Sequence, residues 1–395
     1  MKLARRSNIS PSLTLAMNTK AKQMRAEGLD VISFAAGEPD FNTPDHIKRA
    51  GKSAVDDNKT YYTPASGIVE LKQQVIRKLA RDNGLEYAID QISINSGAKH
   101  SVFNTLFVLV EEGDEVIVPT PYWVSYSEMV RICGATPVFV NTTEKTGFKI
   151  TPDQLQKSIS KKTKVLLLNS PCNPTGAVYS GEELFTLARI VENLDIVVVS
   201  DEIYERILYE GNEHVSIASY SQALKDKTVV INGMSKAYSM TGWRIGYAAG
   251  PADIIGAVNK LQGHTSGNPT SISQWASVTG LEQGSEFVED WVVEFRRRRD
   301  YIVEELNSID GVSCTSPGGA FYVFPNIKGL LDRSYGGTRV SNSVELAYYL
   351  LEQGHIAVVP GQAFGAEGYI RLSFATSMEN IVEGMKRLKK TIDNR

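Results

Sequence analysis

Cysteine is scarce. Cys133, Cys172 and Cys314 are the whole complement, widely spaced and without a C-x-x-C pair, which argues against a disulfide framework or a cysteine-based zinc site. A reducing compartment follows as the expectation, and with it a cytoplasmic location. Long apolar runs are also missing. The densest, Leu106 to Val110, falls far short of the ~18 residues that a membrane-spanning helix needs, and the basic stretch Met1 to Ser10 meets Pro11 with no apolar segment of signal-peptide type. Charge of one sign is not in excess: 42 Lys and Arg stand against 45 Asp and Glu, so nucleic acid and anionic membrane are not expected partners. The one strongly basic block, Arg296 to Arg299, lies in a charged helix-like stretch and reads as a solvated face. No G-x-x-x-x-G-K-S/T phosphate loop occurs.

What is present is an ordinary globular composition, 42% hydrophobic and 22% charged over 395 residues, long enough for two or three domains and a sheltered site. The central half alternates strand-like apolar runs with amphipathic stretches, the pattern of an α/β fold with a mainly parallel sheet. Strands are expected at Ile92 to Ser96, Glu115 to Val118, Val165 to Asn169, Ile196 to Ser200, Val229 to Asn232 and Ile245 to Ala249. Ligands of such sheets bind beyond the carboxyl ends of the strands, which makes those ends the place to look. The last hundred residues change character, with an arginine-rich helical segment, the Pro317-Gly318-Gly319 turn, short strands and a final amphipathic helix from about Glu379. They suggest a smaller α+β domain on which residues 1 to about 45 would pack, leaving a ligand cleft between the two parts.

Four of the strand ends carry chemistry. Lys236 follows the strand Val229 to Asn232 and stands eight positions before Arg244, beside a glycine-flanked turn. A lysine amine can condense with an aldehyde, but its ordinary pKa of ~10.4 must fall by about three units for it to act as a base near pH 7, which burial beside a second cation can achieve. Asp201 and Tyr204 follow the strand Ile196 to Ser200 at a spacing of three; a buried carboxylate there could keep a pyridine nitrogen protonated, making the ring an electron sink. Asn173, held between Pro171-Cys172 and Pro174, offers an amide beside the same ring. Ser96-Gly97-Ala98-Lys99 sets backbone N–H groups at a helix start, where an anion can bind. Singly, each has a plain alternative: a loop lysine, a helix cap, a core tyrosine, a turn.

Taken together and in order, these segments resemble the pyridoxal-phosphate aminotransferases of fold type I, class I, in the bacterial aspartate aminotransferase branch. The likeness runs through Ala36 to Phe41, Tyr62 to Gly67, Pro121-Tyr122-Trp123, Asn173 to Gly176, Asp201 to Tyr204, Ser235 to Gly246 and Arg371-Leu372-Ser373. It implies a large cofactor-binding domain (residues 46–290) around a mainly parallel seven-stranded sheet flanked by helices, and a smaller α+β domain built from both chain ends (1–45 and 291–395). It also implies pyridoxal 5'-phosphate bound through Lys236, which shuttles protons; Asp201 at the ring nitrogen; Tyr204 and Asn173 at the ring 3-oxygen; Trp123 on the ring face; and Arg244, Ser235, Gly97 and Ala98 around the phosphate. Arg371 would clamp the substrate α-carboxylate, with Gly37 helping to close the site. Lys99, Ser12 and Thr14 would bind a distal carboxylate, the mark of aspartate and 2-oxoglutarate as substrates. Tyr62 would reach the phosphate of a neighbouring subunit, so a homodimer with shared sites is expected. Members that use prephenate carry a lysine where this chain has Ser10, which speaks against that substrate. Aromatic, alanine or prephenate aminotransferases and β-lyases on the same fold share the core residues and are the alternatives; no metal is expected.

Overall fold

The computed structural model describes residues 3, 4, 7 and 9–393, so the basic stretch at the amino terminus falls partly outside it. Seven strands build the central sheet: β1 Ile92–Asn95, β2 Glu115–Thr120, β3 Thr136–Asn141, β4 Thr163–Asn169, β5 Val197–Asp201, β6 Thr228–Gly233 and β7 Gly246–Ala249. Their spatial order is β1, β7, β6, β5, β4, β2, β3. All point one way except β7, which is antiparallel to both its neighbours.

The strands rich in Val, Ile and Leu lie inside because both sheet faces are covered. Val165 and Leu167 of β4 pack with Val102 and Leu106 of helix α2 (Ala98–Leu109), while Leu166 and Leu168 turn to the other face and meet Leu184 and Leu187. The expected strands fall within two residues of the observed ones. β3 was not expected: it contains Pro137, exposes most of its residues and pairs only with β2, the behaviour of a sheet edge held by its partner more than by its own pattern. β7 corrects a second expectation. Because it is reversed, its first residue, Gly246, and not its carboxyl end, lies level with Asn95 and Gly233 at the functional edge.

The remaining core joins the two ends of the chain. Ile32–Ser33 pairs in parallel with Ile356–Ala357, and Met17 and Ala21 of helix α1 (Leu13–Ala26) pack with Phe34, Phe295, Tyr322, Leu346 and Ile381. A three-stranded sheet of Tyr322–Val323, Ile370–Ser373 and Val359–Pro360 completes this part. The helix Phe287–Asn307 carries the basic block, and here the solvated-face reading fails. Arg298 is 6% exposed and pairs with Asp40 at 2.8 Å and Glu294 at 2.9 Å, and Arg299 lies 4.5 Å over the ring of Tyr209; Arg297 alone remains largely in solvent. The helix runs along a junction, so consecutive arginines meet different neighbours.

Candidate active site

Asn95, Asn169, Asp201, Gly233 and Gly246 form the row where the central strands end or, for β7, begin. A cleft of about 440 Å³ opens above it, lined among others by Thr14, Gly37, Ala98, Lys99, Trp123, Asn173, Asp201, Tyr204, Ser235, Lys236, Arg244 and Arg371.

One end of the cleft is an anion cradle. Helix α2 starts at Gly97, whose φ of 89° and lack of a side-chain cap leave the first-turn amides of Ala98 and Lys99 without an acceptor in the helix. A Cβ on Gly97 would stand 2.4 Å from the Arg244 guanidinium, and one on Gly246 would stand 2.2 Å from the amide nitrogen of Ala98. Two glycines thus let a helix start, a strand start and a guanidinium meet. Arg244 donates to the carbonyls of Ser96 at 3.1 Å and Thr241 at 2.9 Å, and forms no ion pair among the described residues. Ser235, buried, follows β6 on the same side.

In the middle stand Lys236 and Asp201. Burial pulls the Lys236 amine down to about 8; Arg371 and Arg244 help, while Glu38 and Asp201 oppose. The amine donates to the Gly37 carbonyl. Burial pushes Asp201 up to about 6 and Glu202 adds to this, against the hydroxyl of Tyr126, which donates to Oδ2 at 2.6 Å, and the backbone N–H of Ile203. No cation pairs with Asp201 among the described residues. Behind it Glu202, Glu205 and His214 converge, with Lys78 paired to Glu205 and His214 Nε2 2.9 Å from Glu202.

At the other end Arg371 is 2% exposed, donates to Asn173 Oδ1 at 3.0 Å and to the Ala35 carbonyl at 2.9 Å, and leaves Nε without a partner. A buried guanidinium without a carboxylate calls for an anion. Tyr204 and Tyr322 share a hydroxyl hydrogen bond of 2.8 Å, and burial holds the Tyr204 phenol well above its ordinary value. Lys99 stands 4.9 Å over the Trp123 ring, its ammonium lowered by desolvation and by Arg244. Thr14 turns a buried hydroxyl without a partner toward this cleft.

Ser12 and Gly97 lie off the lining, and Tyr62, expected at a neighbouring subunit's phosphate, lies off that of its own chain. Ser12 is not part of the lining; its hydroxyl accepts from the Leu15 amide at 3.3 Å and caps α1. Gly97 lies behind the lining rather than in it. Tyr62 is 99% exposed and remote from the lining of its own chain. Conversely, Tyr126, Tyr322, Asn169 and Glu38 line the cleft and were not singled out in the sequence. Asn169 fixes the Asn173 turn, accepting from its amide at 2.9 Å and donating to the Asp201 carbonyl at 2.9 Å; it ends a predicted strand, which was the one hint available.

An amine of lowered proton affinity, buried with an acid and an anion cradle at the strand ends of a mainly parallel sheet, can condense with a carbonyl group and pass on a proton. The family model for class I and II aminotransferases matches residues 29–388, and the chain belongs to that family. It is 46% identical to the aspartate aminotransferase of Geobacillus stearothermophilus, with 100% of both sequences covered. The crystal structure of the Rhizobium meliloti aspartate aminotransferase matches with a TM-score of 0.96 at 41% identity, covering 100% of this chain and 99% of that one. The Thermus thermophilus aspartate aminotransferase solved with maleate matches at 0.93 and 41%, covering 99% and 100%. No helix among the described residues is long and apolar enough to cross a membrane.

Proposed function

We propose that the chain transfers the amino group of L-aspartate to 2-oxoglutarate, giving oxaloacetate and L-glutamate, with pyridoxal 5'-phosphate as cofactor. The observation that carries this reading is a single cleft in which, beside Lys236 and Arg244 that the cofactor would engage, two further cations are free of carboxylates, Arg371 buried in it and Lys99 at its mouth. A substrate with a carboxylate at each end satisfies both, and a relative bound to maleate, a dicarboxylate, supports the same choice.

The donor set fits the cofactor. The amides of Ala98 and Lys99, Arg244 and Ser235 would hold its phosphate, and the close approach at Gly97 and Gly246 leaves that cradle open to it. Asp201, buried and lacking a cation, would pair with a protonated ring nitrogen, which removes the penalty that raises its pKa. Tyr204 and Asn173 would contact the ring 3-oxygen and Trp123 its face. When bound, the cofactor supplies an aldehyde that condenses with amines and a ring that draws electrons from the substrate α-carbon.

This chain's residues do the rest. Arg371, oriented by Asn173 and Ala35, would hold the α-carboxylate with two of its guanidinium N–H groups, fixing which bond at the α-carbon faces Lys236. With a pKa near 8, the Lys236 amine can take that proton at neutral pH and return it, a match between base strength and working pH. Tyr126 holds the Asp201 carboxylate in place. Thr14 and Lys99 would meet the distal carboxylate, while Ser12 would act by setting the start of α1. A homodimer in which Tyr62 serves the partner's phosphate, a division into residues 46–290 and 1–45 with 291–395, and a cytoplasmic location are parts of the same reading. The exposed pair Tyr61 and Tyr62 and the shared core of the chain ends support the first two.

Lys99→Ala tests the substrate class. Because Lys99 stands at a solvent-exposed mouth, the loss for aspartate should be about 2 kcal/mol in kcat/KM, while alanine, which lacks the distal group, should change much less. Equal losses for both amino acids would remove Lys99 from substrate selection and the dicarboxylate reading with it.

A further inference from the structure

Segment 37–43 crosses between the cleft and the helix Phe287–Asn307 without forming helix or strand. On its inner side it is stitched to the loop that carries Lys236. The Lys236 amine donates to the Gly37 carbonyl, Thr241 donates to Glu38 at 2.9 Å, and Ser239 donates to the Phe41 carbonyl. Thr43 donates to the Ser239 carbonyl at 2.6 Å and accepts from the Trp243 indole at 3.1 Å. On its outer side Asp40 and Phe41 pin it. Arg298 donates to both carboxylate oxygens of Asp40, at 2.8 and 2.9 Å, and Phe41 stacks on Trp291 with centroids 4.8 Å apart and planes 1° from parallel.

Neither the segment nor the lysine loop has a backbone ladder of its own, so side-chain bonds and these two pins set where each lies. Asp40 is three residues from the carbonyl that receives the amine. Arg298, nearly sealed from water and also bound to Glu294 at 2.9 Å, is a fixed post. Phe41 also meets the edge of Phe295 at 5.3 Å and lies 5.5 Å under the Arg298 guanidinium; the two-oxygen grip on Asp40 adds a charged, directional tie to the same arginine.

We propose that Asp40 and Arg298 form a clasp that positions the Lys236 amine, acting through the 37–43 strap and its Gly37 carbonyl. Arg298 and Asp40 are positioning residues; neither lines the cleft. The groups facing the amine are Glu38 on the strap, Asp201, Arg371 and Arg244, together with the rings of Tyr204 and Phe321. With the clasp open, the strap lifts, water reaches the amine, and the burial that most lowers its proton affinity is relieved. The importance of this clasp to transamination rests on the role proposed above for Lys236, but the clasp itself does not.

Asp40→Asn is the variant of choice, because it removes the carboxylate charge without changing volume and leaves Arg298 its bond to Glu294. Two quantities are read on the full chain freed of cofactor: the pH dependence of Lys236 acetylation by acetic anhydride, mapped by mass spectrometry with other lysines as internal controls, and hydrogen exchange of residues 37–43. The clasp predicts faster exchange of the strap and an upward move of the Lys236 midpoint by about half a unit or more, the other lysines staying fixed. Faster exchange with an unmoved midpoint would overturn it, since the strap would then not position the amine. No change in either, or a downward move, would overturn it as well. Because the label reports the amine itself, these outcomes stand apart from any failure of Lys236 to join the cofactor.

Discussion

Asp201 is held at a cost that the bare chain cannot offset. Its carboxyl is raised to about 6 by burial, against an ordinary 3.8, so the folded chain binds its proton more tightly than the unfolded one. The sign follows: the penalty is absent below about pH 4, grows as pH rises through the interval up to 6, and is full above it. Asp201→Asn should therefore raise the free energy of unfolding in urea of the cofactor-free chain at pH 8, by about 2 kcal/mol, and much less at pH 4, while abolishing transamination. A variant less stable than the parent at pH 8 would show that the carboxylate is compensated. Asp201 was legible because an acid at a strand end has few structural duties, and the same holds for Lys236, whereas Arg371, inside a strand, could be named only through the resemblance. Tyr126 and Tyr322 were not: a lone tyrosine in an apolar context has the composition of core, and both rings are indeed 2% exposed or less. Their hydroxyls matter only through partners that lie 75 and 118 residues away. Arg298 misled for a related reason, since a run of arginines on a helix carries no mark of which one faces inward.

The seam between β7 and α2 is the element on which the anion cradle depends. Gly246→Ala would set a methyl 2.2 Å from the Ala98 amide nitrogen, a backbone atom that cannot swing aside. The seam must part, at about 3 kcal/mol of overpacking strain. Loss of stability in urea should come with a loss of cofactor affinity larger than Ser235→Ala produces, because the first-turn amides and Arg244 move together; unaltered cofactor binding would mean that the cradle lies elsewhere. At this scale the periodicity of Val and Ile was enough to find six strands. It failed for β3, whose stability comes from its neighbour, and it could not give direction, because an apolar run reads the same whichever way it is laid in a sheet.

The assembled enzyme should be a homodimer at micromolar concentration in analytical ultracentrifugation. Tyr61 is 80% exposed and Tyr62 99%, with Val69 and Phe107 also open to solvent. Tyr62→Phe should weaken cofactor binding without dissociating the dimer; a fully active monomer would refute the shared site. The role proposed for Tyr62 comes only from the resemblance, since exposure is a property of the folded chain. The pairing of Ile32 with Ile356 bears on how this protein is made. The partners are roughly 320 residues apart, and a ribosome adding about 5–20 residues per second needs roughly 16–65 s between them. During that interval the central sheet can close on itself, whereas Val31, Ile32 and Phe34 have emerged and must wait, apolar and unpaired, for a strand not yet synthesised. The smaller part of the molecule is therefore the last to form, and the nascent chain is most exposed to aggregation, and most in need of a chaperone's shelter, at its very beginning.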